Sequence, residues 1–203
     1  MSDAAPRLYA RAAAEQRVHL CFFGVGDKQR ALDKVCQALC THHGAFVARV
    51  SVAKLVAEQR RTRAPDLLCA ALLAPVAVLL ERAVPSKRAP SPASIARMDV
   101  HRLSSLLKRR NEQLPSTEAA PLVVLALDGI DHEGFVADRR ATSELAQLAA
   151  LRFVVLLATA DVQRGQALRN ISWTFVRADT WVLHPPWKHT PRTIPADLFD
   201  TDP

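Results

Sequence analysis

Two uninterrupted apolar runs, residues 122–127 (LVVLAL) and 153–158 (FVVLLA), limit what this chain can become more than any other feature. Each is short for a helix, rich in valine, and free of the polar alternation that marks a half-wet strand. Such a run needs apolar cover on both faces, which is the situation of a central strand in a parallel sheet. The segments around them carry helical signals at 29–39, 52–61, 65–82, 95–114 and 139–151, and weaker strands are expected at 18–23, 45–50, 173–176 and 181–184. Strands alternating with helices predict an α/β fold, a parallel sheet flanked by helices.

Punctuation residues divide the chain. Residues 1–17 are alanine-rich and read as an N-terminal helix or frayed tail, 18–184 as the α/β domain, and 185–203 as a proline-rich C-terminal tail. Residues 85–94 (PSKRAPSPAS) hold three prolines and three serines and read as a mobile loop within the domain. Residues 41–44 read as a turn bearing His42 and His43, and Pro75 is expected to bend or break its helix.

A chain of 203 residues suffices for one well-buried domain. The longest apolar stretch, 67–80, is too short and too interrupted by Pro75 for a bilayer span, so no membrane partner is expected, and residues 1–17 lack the apolar stretch of a secretory signal. A net charge of +7 favours an acidic partner, nucleic acid being the commonest, whereas 5% aromatic residues, none interleaved with basic clusters, argue against a stacking platform for single strands. Cys21, Cys36, Cys40 and Cys69 fall inside expected strands and helices, where cysteine behaves as a small apolar residue, and burial is expected for them.

The chemistry-bearing stretch is residues 18–34, VHLCFFGVGDKQRALDK. An apolar strand meets Gly24 and Gly26 and passes at once into a helix, the order that lets a backbone turn cradle phosphate at a helix N-terminus. A working phosphate loop of the P-loop NTPases reads GxxxxGKS or GxxxxGKT, its lysine directly after the last glycine and a hydroxyl next for magnesium. Here Asp27 separates Gly26 from Lys28 and Gln29 stands where the hydroxyl belongs. A parallel sheet binds ligands at the carboxyl ends of its strands, which places Gly24, Gly26, Asp27, Lys28, Asp128 and Asp161 on one edge. ATPases of the AAA+ type follow the apolar third strand with Asp-Glu, the aspartate organising magnesium and the glutamate the attacking water. This chain has Asp128 and then Gly129, and the next strand ends near Thr159 and Asp161, where a polar sensor residue would stand. The expectation is a P-loop NTPase (AAA+/RecA-like) architecture with degenerate nucleotide motifs, no cofactor, and no ATP hydrolysis.

The order of these pieces resembles the origin recognition complex subunit 2 family. FFGVGDKQRALDK is similar to the segment opening its ATPase-like domain. Leu127-Asp128, the helix SELAQLAAL, the strand FVVLLATAD, the pair Trp173 and Phe175, and Asp179-Thr180-Trp181 before Pro186-Trp187 resemble its later elements. The likeness covers about residues 18–187, with 52–115 unmatched in detail. It implies a noncatalytic AAA+-like scaffold in a nuclear DNA-replication complex, contributing to a ring around origin DNA and to helicase loading. Other complex subunits, subunit 3 first, would be its partners, with double-stranded DNA bound only within the complex. Asp27 replaces the serine usual in the family. A long N-terminal region and a winged helix, both normal there, have no room in these residues, which implies a truncated or divergent member.

The remaining features bear on competing chemistry. An active P-loop NTPase with an unorthodox loop around Lys28 is the first alternative. A metal-dependent hydrolase using Asp128, Asp131, His132 and Asp161 is the second, because carboxylates and imidazole at strand ends suit a divalent ion. Lys54, Arg60, Arg61 and Arg63 lie between the second and third sheet strands, where initiator ATPases carry a DNA-contacting insertion. Their charge would give salt-dependent, sequence-independent affinity, and a solvated face is the plain alternative. Trp173 is expected in the core and Trp187 at a subunit interface. Lys28 and Arg30 are expected to face solvent or a neighbouring subunit.

Overall fold

A computed structural model describes residues 4–24, 28–85, 90–114, 120–161 and 170–178. Its strands are β1 (His19–Phe23), β2 (Phe46–Ser51), β3 (Val123–Asp128), β4 (Val154–Ala160) and β5 (Trp173–Arg177). They form one sheet in the order β2-β3-β4-β1-β5, with every neighbouring pair parallel. The helices are α1 (Ala4–Glu15), α2 (Gln29–His43), α3 (Val52–Thr62), α4 (Leu67–Ala83), α5 (Pro92–Ile95), α6 (Val100–Gln113), α7 (Glu133–Val136) and α8 (Arg139–Ala149). The parallel sheet flanked by helices is the one expected.

The two apolar runs become β3 and β4, and both are buried on both faces. Val123, Leu125 and Leu127 join a core built with α3, α4, α6 and α8, while Val124 and Ala126 join a second core under α1 and α2. β4 divides in the same way, Val154, Leu156 and Ala158 against Val155 and Leu157. That alternation explains why neither run could contain a polar position. Each fully buried Leu or Phe in these layers contributes about 1.5–3 kcal/mol by leaving water.

Local chemistry sets several element ends. Gly44 closes α2 in the left-handed conformation (φ 61°), so residues 41–43, expected as a turn, complete the last turn of that helix. Asp99 accepts the Arg102 N–H at 2.8 Å and starts α6, dividing the single helix expected at 95–114 into α5 and α6. The expected loop at 85–94 gives way to helix at its end, where the Ser91 hydroxyl accepts the Ser94 N–H and Pro92 opens α5. α4 is not broken at Pro75: helix continues on both sides of it. The missing N–H costs one bond, but Leu72, Leu73, Val76, Ala77 and Leu80 are buried around the proline and hold the helix in place. α1 is an ordered helix, with Ala10 and Ala13 buried and Tyr9 meeting Phe22 edge-on at 6.2 Å.

Arg110 turns inward from α6 toward α4. Its Nε and Nη2 donate to Glu81 of α4 at 2.9 and 3.2 Å, and Nη2 also donates to the Val84 carbonyl at 2.6 Å. Cys21, Cys36 and Cys69 are buried as expected, but Cys40 is exposed on the outer side of α2. The strand expected at 181–184 and the tail at 185–203 lie outside the described residues. Among the described residues no helix is long and apolar enough to cross a membrane.

Candidate functional site

The strand order places β4 between β3 and β1, so their carboxyl ends meet on one edge, with Phe23 level with Ala160 and Leu127 level with Ala158. Gly24 leaves β1 with φ 132°, a conformation that side chains strain against, and Lys28 is the residue from which α2 starts. Gly26 and Asp27 lie outside the described residues. Gly24, Lys28, Asp128 and Asp161 therefore share the edge that the sequence assigned to them.

Lys28 is not turned to solvent. Its Nζ donates to the Gly24 carbonyl at 3.1 Å and pairs with Asp161 Oδ1 at 2.7 Å. The Lys28 side chain is only 11% exposed, whereas that of Asp161 is 78% exposed. The carboxylate thus covers the ammonium from the solvent side. Arg30, two residues on, is exposed as expected. Sequence reasoning set Lys28 and Asp161 on one edge but missed their pairing, because residues 133 apart carry no local signal of contact.

A second set of bonds fixes the same edge. The Asp161 N–H donates to Oδ2 of Asp131, a buried carboxylate, at 2.7 Å. Thr159 Oγ1 donates to Asp128 Oδ1 at 2.7 Å and accepts the Gly129 N–H at 2.8 Å. The Ile130 N–H adds a bond to the Thr159 carbonyl at 3.0 Å. Gly129 stands at the position of the expected glutamate and has φ 73°. Space around it is open, so the backbone conformation, not crowding, is what favours glycine there. Below the edge, burial first and then the Asp131 charge push the Cys21 thiol up to about 12.

These bonds decide what the site can do. A phosphate arriving at Lys28 meets an ammonium already neutralised, and it must displace Asp161 to reach it. The donors of the metal reading are likewise turned to their own chain: Asp128 to Thr159, Asp131 to the Asp161 amide, and His132 Nδ1 to the Gly134 N–H, which caps α7. Among the described residues no group of three or more His, Cys, Asp or Glu could hold a metal ion. A hollow of about 720 Å³ at the amino ends of β2 and β3, beside Arg17, His43 and Leu122, lies on the opposite edge of the sheet.

The basic set lies beside the same carboxyl edge. α3 starts directly after β2, where Ser51 is level with Asp128, and it packs against α7. Lys54, Arg60, Arg61 and Arg63 are all exposed. Arg63 caps α3 in the left-handed region (φ 55°), and Arg61 is bonded to Glu58 at 2.6 Å, so part of its charge is already met. Trp173, expected in the core, is partly buried against it and lies edge-on to His19 at 6.1 Å. Trp187 lies outside the described residues.

Comparison with known proteins agrees with this layout. No curated protein matches the chain in sequence. A chain in the structure of Drosophila ORC bound to AT-rich DNA and Cdc6 superposes with a TM-score of 0.53 at 15% identity, covering 89% of this chain and 57% of that one. A chain in the structure of Drosophila ORC bound to DNA gives 0.52 at 15% identity, covering 88% of this chain and 94% of that one. This chain therefore spans little more than half the length of the first relative. At such identity the likeness is one of fold. The family model matches residues 7–176, most of the chain and both halves of the sheet, and on that match the chain belongs to the family of the origin recognition complex subunit 2 RecA-like domain.

Proposed function

We propose that this chain serves as a noncatalytic AAA+-like scaffold in a nuclear origin recognition complex. In that role it contributes to a ring around origin DNA and to helicase loading, with subunit 3 as its first neighbour and double-stranded DNA bound within the assembly. Family membership supports the origin recognition role, and the relatives of like fold are described in complexes with DNA.

One observation carries the noncatalytic reading: the largely covered Lys28 ammonium is paired at 2.7 Å with the chain's own Asp161. Gly129 supports it, since the residue after Asp128 offers no carboxylate to orient a water. The bonds among Lys28, Asp161, Asp131, Thr159 and Asp128 join the start of α2 to the ends of β3 and β4. A bound nucleotide with magnesium would make that junction in an ATPase. The chain thus holds the corner in place with its own side chains and is suited to a structural role.

The second reading, an active NTPase, draws on the placement of Lys28 at the start of α2 beside Gly24. Equilibrium binding of labelled ATP with magnesium separates the two. The expected outcome is no micromolar binding and no phosphate release. Micromolar affinity that disappears in Lys28→Ala would overturn the scaffold reading. Affinity purification from cells followed by mass spectrometry tests the partners, and replication-initiator ATPases are expected to co-purify.

A further inference from the structure

We infer that the groove between α1 and α2 is a binding site for a compact phosphate monoester, recognised chiefly by Arg7 of α1 and by Lys34 and His42 of α2. The groove lies on the face of the sheet opposite α3, and its role does not depend on whether the chain hydrolyses ATP.

The packing of α1 against α2 leaves a hollow of about 360 Å³ beside their contact, within the range that takes a small ligand or one modified side chain. α2 lines it with residues 34, 37, 38, 41 and 42, the spacing of a single helix face, and α1 adds Pro6 and Arg7. Pro6 and Ala38 are buried and give the hollow an apolar part, whereas Arg7 and His42 are exposed and open to a ligand. His42 stands at the end of α2 away from the Lys28 corner. The groove is therefore separate from both the carboxyl edge and the basic set on α3.

Charge selects the ligand. A guanidinium, an ammonium, an imidazole, the Gln37 amide and the Thr41 hydroxyl all offer donors, and among the described residues lining the hollow none is acidic. Each helix carries one acid, and each is engaged elsewhere: Glu15 accepts from Arg11 at 3.0 Å, and Asp33 is paired with Arg49 of β2. A carboxylate would bring one charge to this set. A phosphate monoester brings up to two and three terminal oxygens, which suits a forked guanidinium near an ammonium. The phosphates of a duplex lie along a broad rod that does not enter a cleft between two helices, so the group must be terminal. A phosphorylated serine of a partner protein and a small phosphorylated metabolite share that chemistry.

The test uses the full chain and isothermal titration calorimetry in magnesium-free buffer, with glycerol 3-phosphate and a capped pentapeptide of one phosphoserine among neutral residues as probes. At least one probe is expected to bind with a Kd below about 1 mM, and neither glycerol nor the unphosphorylated peptide should bind. Arg7→Gln is expected to weaken binding at least about tenfold, Arg7→Lys by less because the charge stays while the fork is lost, and His42→Gln by about threefold. Arg97→Gln removes one exposed charge elsewhere and is expected to bind like the unaltered protein. Tighter binding of the peptide would support the site with a modified partner as its source, and tighter binding of glycerol 3-phosphate would support it with a metabolite. Absence of binding by both probes overturns the inference, as does equal affinity in Arg7→Gln and the unaltered protein, an equal fall in Arg97→Gln, or displacement of the probe by a DNA duplex. If Arg7→Gln does not fold, Arg7→Lys and His42→Gln carry the same comparison.

Discussion

His19 shows how far the surroundings of one residue can settle its chemistry. Its Nδ1 accepts the Leu156 N–H at 3.1 Å, so that nitrogen carries no proton, and Nε2–H is left to donate to the Ala149 carbonyl at 3.1 Å. The ring thereby joins the end of α8 to β4. Burial lowers its pKa below the usual value, the bond to Ala149 opposing in part. The folded state thus prefers neutral His19 more than the unfolded chain does. Its stabilisation is complete above the unfolded pKa, about 6.5, and is lost as pH falls through the lowered folded value. Thermal unfolding is expected to show a falling midpoint between about pH 7 and pH 5 and a shallower fall in His19→Gln. An equal slope in both would assign the acid sensitivity to other groups. None of this was legible in the sequence, where His19 is one polar residue in an apolar strand. Lys28 is a similar case: its residue type and strand edge could be read, but not the direction of its side chain.

Among the elements, α3 and α7 meet at a closely constrained contact. A Cβ built on Gly134 would lie 2.5 Å from Val56 Cγ1, below any ordinary contact, so glycine at this position lets the two helices meet. Valine has one side-chain torsion and little room to retreat inside the core. Gly134→Ala is expected to lower stability by about 1–3 kcal/mol, measurable by urea unfolding with an unchanged m-value. A neutral result would mean that α7 shifts freely against α3. The sequence announced α3 through its apolar spacing and gave no warning of α7, a single turn set by the His132 cap. The pairing of Glu81 with Arg110 is likewise tertiary: side-chain exposures of 8% and 13% come from the meeting of α4 and α6, and loss of one partner would leave the other charge buried.

At the scale of the whole molecule, positive charge and sheet polarity fall together, because α3 and the Lys28 corner share the carboxyl edge. If Arg60, Arg61 and Arg63 contact duplex phosphates within the assembly, changing all three to alanine should weaken binding uniformly across sequences. The slope of log affinity against log salt should fall by up to about 3, less if the Glu58 pairing already holds Arg61 back. An unchanged slope would leave α3 a solvated face. Element types and order were legible because apolar runs buried on both faces, helical spacing and caps are local properties of a sequence. Most strand ends fell within one or two residues of expectation, as at β3, read as 122–127 and found as Val123–Asp128. The junction of α5 with α6 was missed for a local reason, the Asp99 cap, whereas the misses at Pro75 and Cys40 share another cause. Each depends on which neighbour covers the residue, and that neighbour comes from elsewhere in the chain.

The sequence by itself determined a parallel sheet, the edge on which its polar residues would gather, and the departures from a phosphate loop that make hydrolysis unexpected. Those follow from residue type and spacing, which act locally. Only the tertiary structure decided that Lys28 is closed off by Asp161, that Asp131 and Thr159 hold the corner together, and that the basic helix stands beside it. Each of these bonds joins segments distant along the chain, and they meet only because β4 lies between β3 and β1.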